Sequence, residues 1–439
     1  MRVFIATPHS RRAAKTRPGW YPSYVLGILL LSYAVNFMDR NILNTLIDPI
    51  KADLQVSDTV MGLLVGFGFA VFNSLAAIPI ARWADRGDRR AIMSLGMAVY
   101  CSLTALSGMA RNVWQLAFAR IGVSVGEAAG VPPAHSLIAD YFPREKRAWA
   151  MAVFQSALYV GIFFGYFVGG WVGEYYGWRA AFWVAGAPGL LIALLLWFTV
   201  DEPIRGGADA RPSPAVLQPL PEVLRFLATQ KAFLLLAAGI ALVSLSNYSL
   251  SVWVPSFLRR IHHASGAEIG TVVAGIKGVA GAVGTLAGGF IVGRIRSRDT
   301  RVQLVLTSLA TALVAPALVV FLFADSKNTA YVAFAASIVL VGFHYGPCYA
   351  VIQSLVRVRM RSVASSIVAL GISLIGLGCG PLLIGLLNDL LAATYAEQAV
   401  RYSLVLSVVA AALGAGCFLL SGSFVAADLK RVEAGTTEG

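Results

Sequence analysis

Asp39 and Arg40 stand side by side in Ser32-Tyr33-Ala34-Val35-Asn36-Phe37-Met38-Asp39-Arg40-Asn41, a polar and charged block inside an otherwise apolar run from Tyr24 to Ile47. A run of that length reads as a membrane-spanning helix, in which a charge near the bilayer centre costs about 2.5–3.5 kcal/mol on insertion scales. Residues tolerated at that cost usually line an interior pathway. A second pair occurs in Arg120-Ile121-Gly122-Val123-Ser124-Val125-Gly126-Glu127-Ala128, where Glu127 follows Arg120 by two helical turns and shares its face. Asp39, Arg40, Arg120 and Glu127 sum to zero charge. One reading is therefore a structural ion-pair cluster. The other is a proton switch, because an acid stays ionised beside an arginine and accepts a proton more readily once the arginine moves away. In that reading Asp39 is the principal proton site and Glu127 a second acid or substrate partner. Arg40 and Arg120 are their exchangeable counter-ions.

Lys277 is the remaining charge at membrane depth, about 16 Å into its span at the helical rise of about 1.5 Å per residue, with no acid near its level in the C-terminal half. It snorkels to the surface, meets Asp39 or Glu127 across a pathway, or receives an anionic group of a substrate.

The elements that must position these groups follow from composition. Of 439 residues 58% are hydrophobic and 13% charged, with a mean hydropathy of +0.73; this chain is a polytopic α-helical membrane protein rather than a set of soluble domains. Apolar windows fall near 24–47, 58–83, 91–110, 113–139, 148–173, 179–200, 232–257, 267–293, 302–324, 329–356, 362–388 and 401–422, giving twelve spans. With the N-terminus inside, only Lys51, Arg111, Arg179, Arg259, Arg260, Lys327 and Arg401 fall outside. Arg40, Arg120 and Lys277 lie within spans, and every other Lys and Arg lies inside. That bias places both termini in the cytoplasm, with the bacterial inner membrane the expected location. It also accounts for the net charge of +13 as a topology signal, so nucleic acid is not an expected partner. The first span is too long for a signal-peptide core and lacks a small-residue cleavage site. Cys101, Cys348, Cys379 and Cys417 fall in spans without metal or disulfide spacing.

The predicted organisation is a cytoplasmic tail over 1–21, a six-helix bundle over 22–200, a Pro- and Gly-rich linker over 201–230, a second bundle over 231–422 and a tail over 423–439. The linker ends in Leu220-Pro221-Glu222-Val223-Leu224-Arg225-Phe226-Leu227, an amphipathic stretch suited to the membrane surface. The halves echo each other. Arg144-Glu145-Lys146-Arg147 opens span five as Arg359-Met360-Arg361 opens span eleven, and each is followed by glycines: Gly161, Gly165, Gly169 and Gly170 in one, Gly371, Gly376, Gly378 and Gly380 in the other. Such spacing serves close helix packing or a hinge. A repeat of this kind implies two parallel bundles with a central pathway, the arrangement in which alternating access works.

Between spans two and three the chain reads Ala81-Arg82-Trp83-Ala84-Asp85-Arg86-Gly87-Asp88-Arg89-Arg90. This resembles the major facilitator signature G-x-x-x-D-R-x-G-R-R, with Ala81 and Asp88 in place of its glycines. The resemblance implies a cytoplasmic gate in which Asp85, Arg86, Arg89 and Arg90 latch the halves in one state; a plain positive-inside loop is the alternative. Asn36-Phe37-Met38-Asp39-Arg40 with the Arg120 to Ala128 segment narrows the resemblance to the spinster branch, Phe37 and Ser124 standing where that branch usually has tyrosine and glycine. The major facilitator fold, with twelve transmembrane helices in two six-helix bundles, is implied. So are proton-coupled transport by alternating access and amphipathic lipid substrates of the lysophospholipid or sphingoid type. Hydrophobic cavities also suit drug-like cations and organic acids.

Further cavity candidates are Asn36, Asn73, Gln155 and Tyr159 in the first half, and Asn247, Tyr248, Trp253, His344, Tyr345, Tyr349 and Gln353 in the second. Each is also plausible as a packed interhelical residue. His262-His263 lack partners for a metal site, and no Walker loop occurs, so no cofactor is expected. An intramembrane enzyme would need a nucleophile or metal beside the two acids, and none is placed there; a transport-inactive receptor or scaffold would tolerate their loss. The expected partners are the proton, an amphipathic small molecule or lysolipid, and membrane lipid, with the protein acting as a monomer.

Overall fold

The computed structural model describes residues 18–203, 220–294, 300–357 and 360–434, and these are helical nearly throughout. The arginines preceding Pro18, most of the linker, Arg296, Arg298 and Arg359 lie outside the described residues. Among the described residues, nine stretches are long and apolar enough to cross a bilayer by length and composition. Two of them are too long for one crossing, since Arg144–Thr199 and Arg361–Val432 have 56 and 72 residues, against about 20 for a bilayer core. The first turns at Gly177 (φ 81°), a left-handed value that favours glycine. The second turns at Ala396 (φ 48°). One further passage, 113–141, is broken at 128–130 between Val113–Glu127 and Val131–Tyr141, with Pro132 and Pro133 at the restart, where a missing N–H is harmless. Among the described residues this gives twelve passages in two bundles of six. The last helix continues to Ala434, and the end of the linker forms the short helix Leu220–Thr229, with Val223 and Leu227 buried and Leu220 and Leu224 exposed.

Three spans contain a turn of i→i+5 geometry: Leu63–Phe67 in span two, Ile276–Ala280 in span eight and Ile372–Cys379 in span eleven. Each shifts helical register where the bundles face each other, and Val65, Lys277, Ile372 and Leu377 all reach the central cavity. No sequence rule applied above locates these turns.

The glycines of span five serve packing. Gly161, Gly165 and Gly169 press against span one, where an added Cβ at Gly165 would lie 2.7 Å from the Met38 carbonyl oxygen. Gly170 meets Gly270 of span eight, so that backbone meets backbone across the bundle boundary; a Cβ on Gly170 would lie 2.5 Å from the Gly270 Cα. Gly165→Leu is accordingly expected to lower stability by about 1–3 kcal/mol through overpacking. Thermal unfolding of the purified protein in detergent would read this as a clear drop in midpoint relative to a lipid-facing control, Leu191→Ala.

Candidate functional site

Span one (Tyr21–Leu54) and the first part of span four (Val113–Glu127) run antiparallel and bring the four charges together as crossed pairs. Arg120 Nη1 donates to Asp39 at 3.1 and 3.3 Å, and Thr104 of span three donates to Asp39 Oδ1 at 2.7 Å. Both ionic side chains are almost wholly buried, at 3% and 1% exposed. Arg40 Nε donates to Glu127 Oε2 at 2.5 Å. Helical side chains lean toward the N-terminus of their helix, which lets Arg40 reach a residue two turns beyond Arg120. Asp39 and Arg120 share a level, as their depths of about 12 and 10 Å from the span ends require.

The arrangement is layered. Arg40 and Arg120 line a cavity of about 470 Å³ between the bundles, whereas Asp39 and Glu127 stand behind them and do not. Phe69 lies under both guanidiniums, 4.8 Å from Arg40 and 5.9 Å from Arg120. Glu127 Oε1 and Arg120 Nε are buried without a hydrogen-bond partner. Each pair therefore retains an unused polar atom, and its arginine can be drawn toward the cavity.

Lys277 lines the same cavity and neither snorkels nor meets either acid. Its ammonium donates to Ser251 Oγ and to Asn247 Oδ1 on span seven. Ser251 in turn accepts through its carbonyl from Tyr166, whose hydroxyl also accepts from Asn44. A polar chain thus runs from span one through span five to spans seven and eight. Asn44 and Tyr166 were not singled out from the sequence; Asn41 next to Arg40 and Asn44 about a turn beyond it were the available signal.

Of the other candidates, Gln155, Tyr159, Asn247, Tyr248 and Tyr345 line the cavity, and Tyr159 bonds Thr285 across the bundles at 2.5 Å. Several do not reach it. Trp253 is wholly buried and donates to the Pro381 carbonyl at 2.9 Å. His344 is buried with Nδ1 2.6 Å from the Val341 carbonyl oxygen, and Tyr349 packs on the apolar core. Asn73 donates to the Ser124 carbonyl, Gln353 to Ser365, and Asn36 faces a separate small cavity beside Tyr100. Trp253, Asn73 and Gln353 take partners on neighbouring helices, and His344 takes a carbonyl of its own span.

At the end bearing the termini, Asp85 and Arg86 are exposed. Arg89 is buried and bonds Asp140 at 2.5 Å and Glu202 at 2.6 Å, and Arg90 bonds Asp88 at 3.0 Å. Asp88 also caps span three by accepting from Ala91 N. These ion pairs stay within the N-terminal bundle and the first residues of the linker. The described ion pairs that join the bundles lie at the far end, where Asp58 receives Arg260 of span seven at 2.6 Å as well as Lys51 at 2.7 Å. Asn388 of span eleven also donates to Asp58, and Asp48 shares Arg260 at 2.6 Å. Asp389 accepts from the Thr59 backbone and hydroxyl, capping span two from the opposite bundle. The members of this cage sit at span ends, where charges in a sequence are unremarkable.

Twelve helices in two bundles around a polar-lined cavity define a membrane transporter, and the chain belongs to the Major Facilitator Superfamily, whose sequence profile matches residues 29–381. Within that superfamily it is a spinster-like member. It is 31% identical over 426 residues, covering 97% of both chains, to an MFS-type efflux pump of Mycolicibacterium smegmatis. It is 27% identical to human protein spinster homolog 1, covering 93% of this chain and 82% of that protein. A bacterial homologue of the human lysosomal transporter Spinster, solved in an inward-facing and unoccupied conformation, superposes with a TM-score of 0.85 at 28% identity, over 94% of this chain and 99% of that one.

Removing the Asp58 carboxylate leaves the partly buried Arg260 with Asp48 alone, and breaking a buried pair from one side costs about 3–5 kcal/mol. Asp58→Ala is expected to shift the population toward a state open at the far end. Spin labels at exposed Ala52 and His263 report it as a longer distance component that is minor in the unsubstituted protein.

Proposed function

We propose that this protein is a proton-coupled secondary transporter working by alternating access, with amphipathic lipids of the lysophospholipid or sphingoid type as its substrates. The observation that carries the proposal is the layering of the crossed pairs: arginines on the cavity wall, carboxylates directly behind. A substrate group that draws Arg40 or Arg120 forward leaves Glu127 or Asp39 without its counter-ion in an apolar surrounding, where a proton is the remaining way to neutralise it. Asp39 is the principal proton site and Glu127 the second. Protonation and substrate binding are thereby linked through the same two arginines.

The far-end cage of Asp48, Asp58 and Arg260 supports reading this conformation as inward-facing, with both termini cytoplasmic. In that state the Asp85–Arg86 signature is disengaged, and Asp85, Arg86, Arg89 and Arg90 are proposed to bridge the bundles only when the cytoplasmic side closes. The protein would act as a monomer in the bacterial inner membrane. Export of drugs or other organic ions is a second reading, supported by the similarity to the efflux pump; it uses the same proton switch.

In proteoliposomes containing a pH-sensitive dye, a panel of lysophospholipids, sphingoid lipids and drug cations is expected to include a compound that moves protons on addition. Asp39→Asn is expected to abolish that signal, and Glu127→Gln to reduce it at least tenfold. Substrate-driven proton movement that persists in Asp39→Asn would contradict the assignment.

A further inference from the structure

The cavity wall carries three cationic side chains, Arg40, Arg120 and Lys277, and no carboxylate among its described lining residues. Two of those charges are balanced from behind, Arg120 by Asp39 and Arg40 by Glu127. Lys277 differs. Its residue is 6% exposed, and its described partners, Asn247 and Ser251, are both neutral. An ammonium has three donors, and these two acceptors leave one for the cavity. The i→i+5 turn at Ile276–Ala280 places Lys277 on the C-terminal bundle, opposite the arginines of the N-terminal one.

Building on the transport reading, we infer that Lys277, Asn247 and Ser251 form an anion-recognising subsite that makes the cavity select amphiphiles with a negatively charged head over zwitterionic or cationic ones. A buried ammonium held only by neutral acceptors is the element of this wall with most to gain from an arriving anion, because the anion supplies the counter-charge that the protein withholds. The two arginines offer a smaller gain, since an anion must compete there with Asp39 and Glu127. Asn247 and Ser251 orient the ammonium; the Ser251 carbonyl is held by Tyr166 and, through it, by Asn44, and the Ser251 hydroxyl donates to the Asn247 carbonyl one turn back, so the subsite is preorganised. Phe37, Val65, Phe69, Leu158 and Ile162 line the same space and suit one hydrocarbon tail. The shared chemistry of the ligand is a single tail with a phosphate or carboxylate head.

Equilibrium binding separates this inference from proton coupling, because it needs no transport. Radiolabelled dodecyl phosphate, laurate and dodecylphosphocholine are titrated at fixed pH onto the full-length protein in nanodiscs of zwitterionic lipid, with empty nanodiscs subtracted. The unsubstituted protein is expected to bind at least one of the anions tighter than dodecylphosphocholine. Lys277→Gln is expected to weaken that anion at least tenfold and to change dodecylphosphocholine by less than threefold, while Lys277→Arg retains most of the affinity. Equal losses for both anions assign a subsite that reads charge, and a loss for dodecyl phosphate or laurate alone assigns a phosphate or carboxylate head. Unchanged anion affinity in Lys277→Gln overturns the inference, as does tighter binding of dodecylphosphocholine than of both anions by the unsubstituted protein. The latter comparison holds even if a variant fails to fold. Either result leaves the Asp39 proton assay untouched.

Discussion

Four charges at membrane depth in one half of an apolar molecule, three of them buried and Arg40 facing the cavity, must neutralise one another, and the rest of the structure is arranged around how they do so. Adjacent residues on a helix point about 100° apart, from 3.6 residues per turn, so Asp39 and Arg40 cannot share one partner. Span four answers with a cation and an acid two turns apart, and the result is two crossed pairs rather than one cluster. The close approach needed to hold span one in place comes from the glycines of span five, which press directly on its backbone at Ala34, Met38 and Ile42. Thr104 of span three completes the shell around Asp39. Each bundle helix near the pairs thus has a task set by electrostatics.

The two bundles differ in kind. The N-terminal one holds compensated charge, and the C-terminal one contributes aromatic and apolar wall plus a single ammonium. Their contact is asymmetric along the membrane normal as well, with Asp48, Asp58, Arg260, Asn388 and Asp389 tying the far end. Asp58 serves three side-chain partners there, Lys51 from its own bundle and Arg260 and Asn388 from the other.

Much of the architecture was legible in the sequence because membrane topology depends on hydropathy and on the placement of Lys and Arg, both of which are local. The Asp39–Arg120 pairing followed from counting residues inward from span ends, and the packing role of the Gly161 series from its spacing. The cavity wall was harder to read. Trp253 and His344 looked like ligands because they are polar-tipped residues at membrane depth, yet each found a backbone carbonyl within the bundle. Which face of a helix meets the cavity depends on the register shifts at Leu63–Phe67, Ile276–Ala280 and Ile372–Cys379, and a periodic pattern does not reveal them. Asp88, which stands where the signature has glycine, is a helix cap; the bond that explains it is to a backbone N–H.

The central claim is that the buried carboxylates change protonation when the arginines in front of them are engaged. Infrared difference spectroscopy of the reconstituted protein tests it most directly, by recording the protonated-carboxyl band as a substrate found in the proteoliposome screen is added. The account predicts a band that appears on binding, shifts in heavy water, and is lost in Asp39→Asn or diminished in Glu127→Gln. Binding with no change in that region, in a protein that still transports, would contradict it and leave the crossed pairs as structural ties.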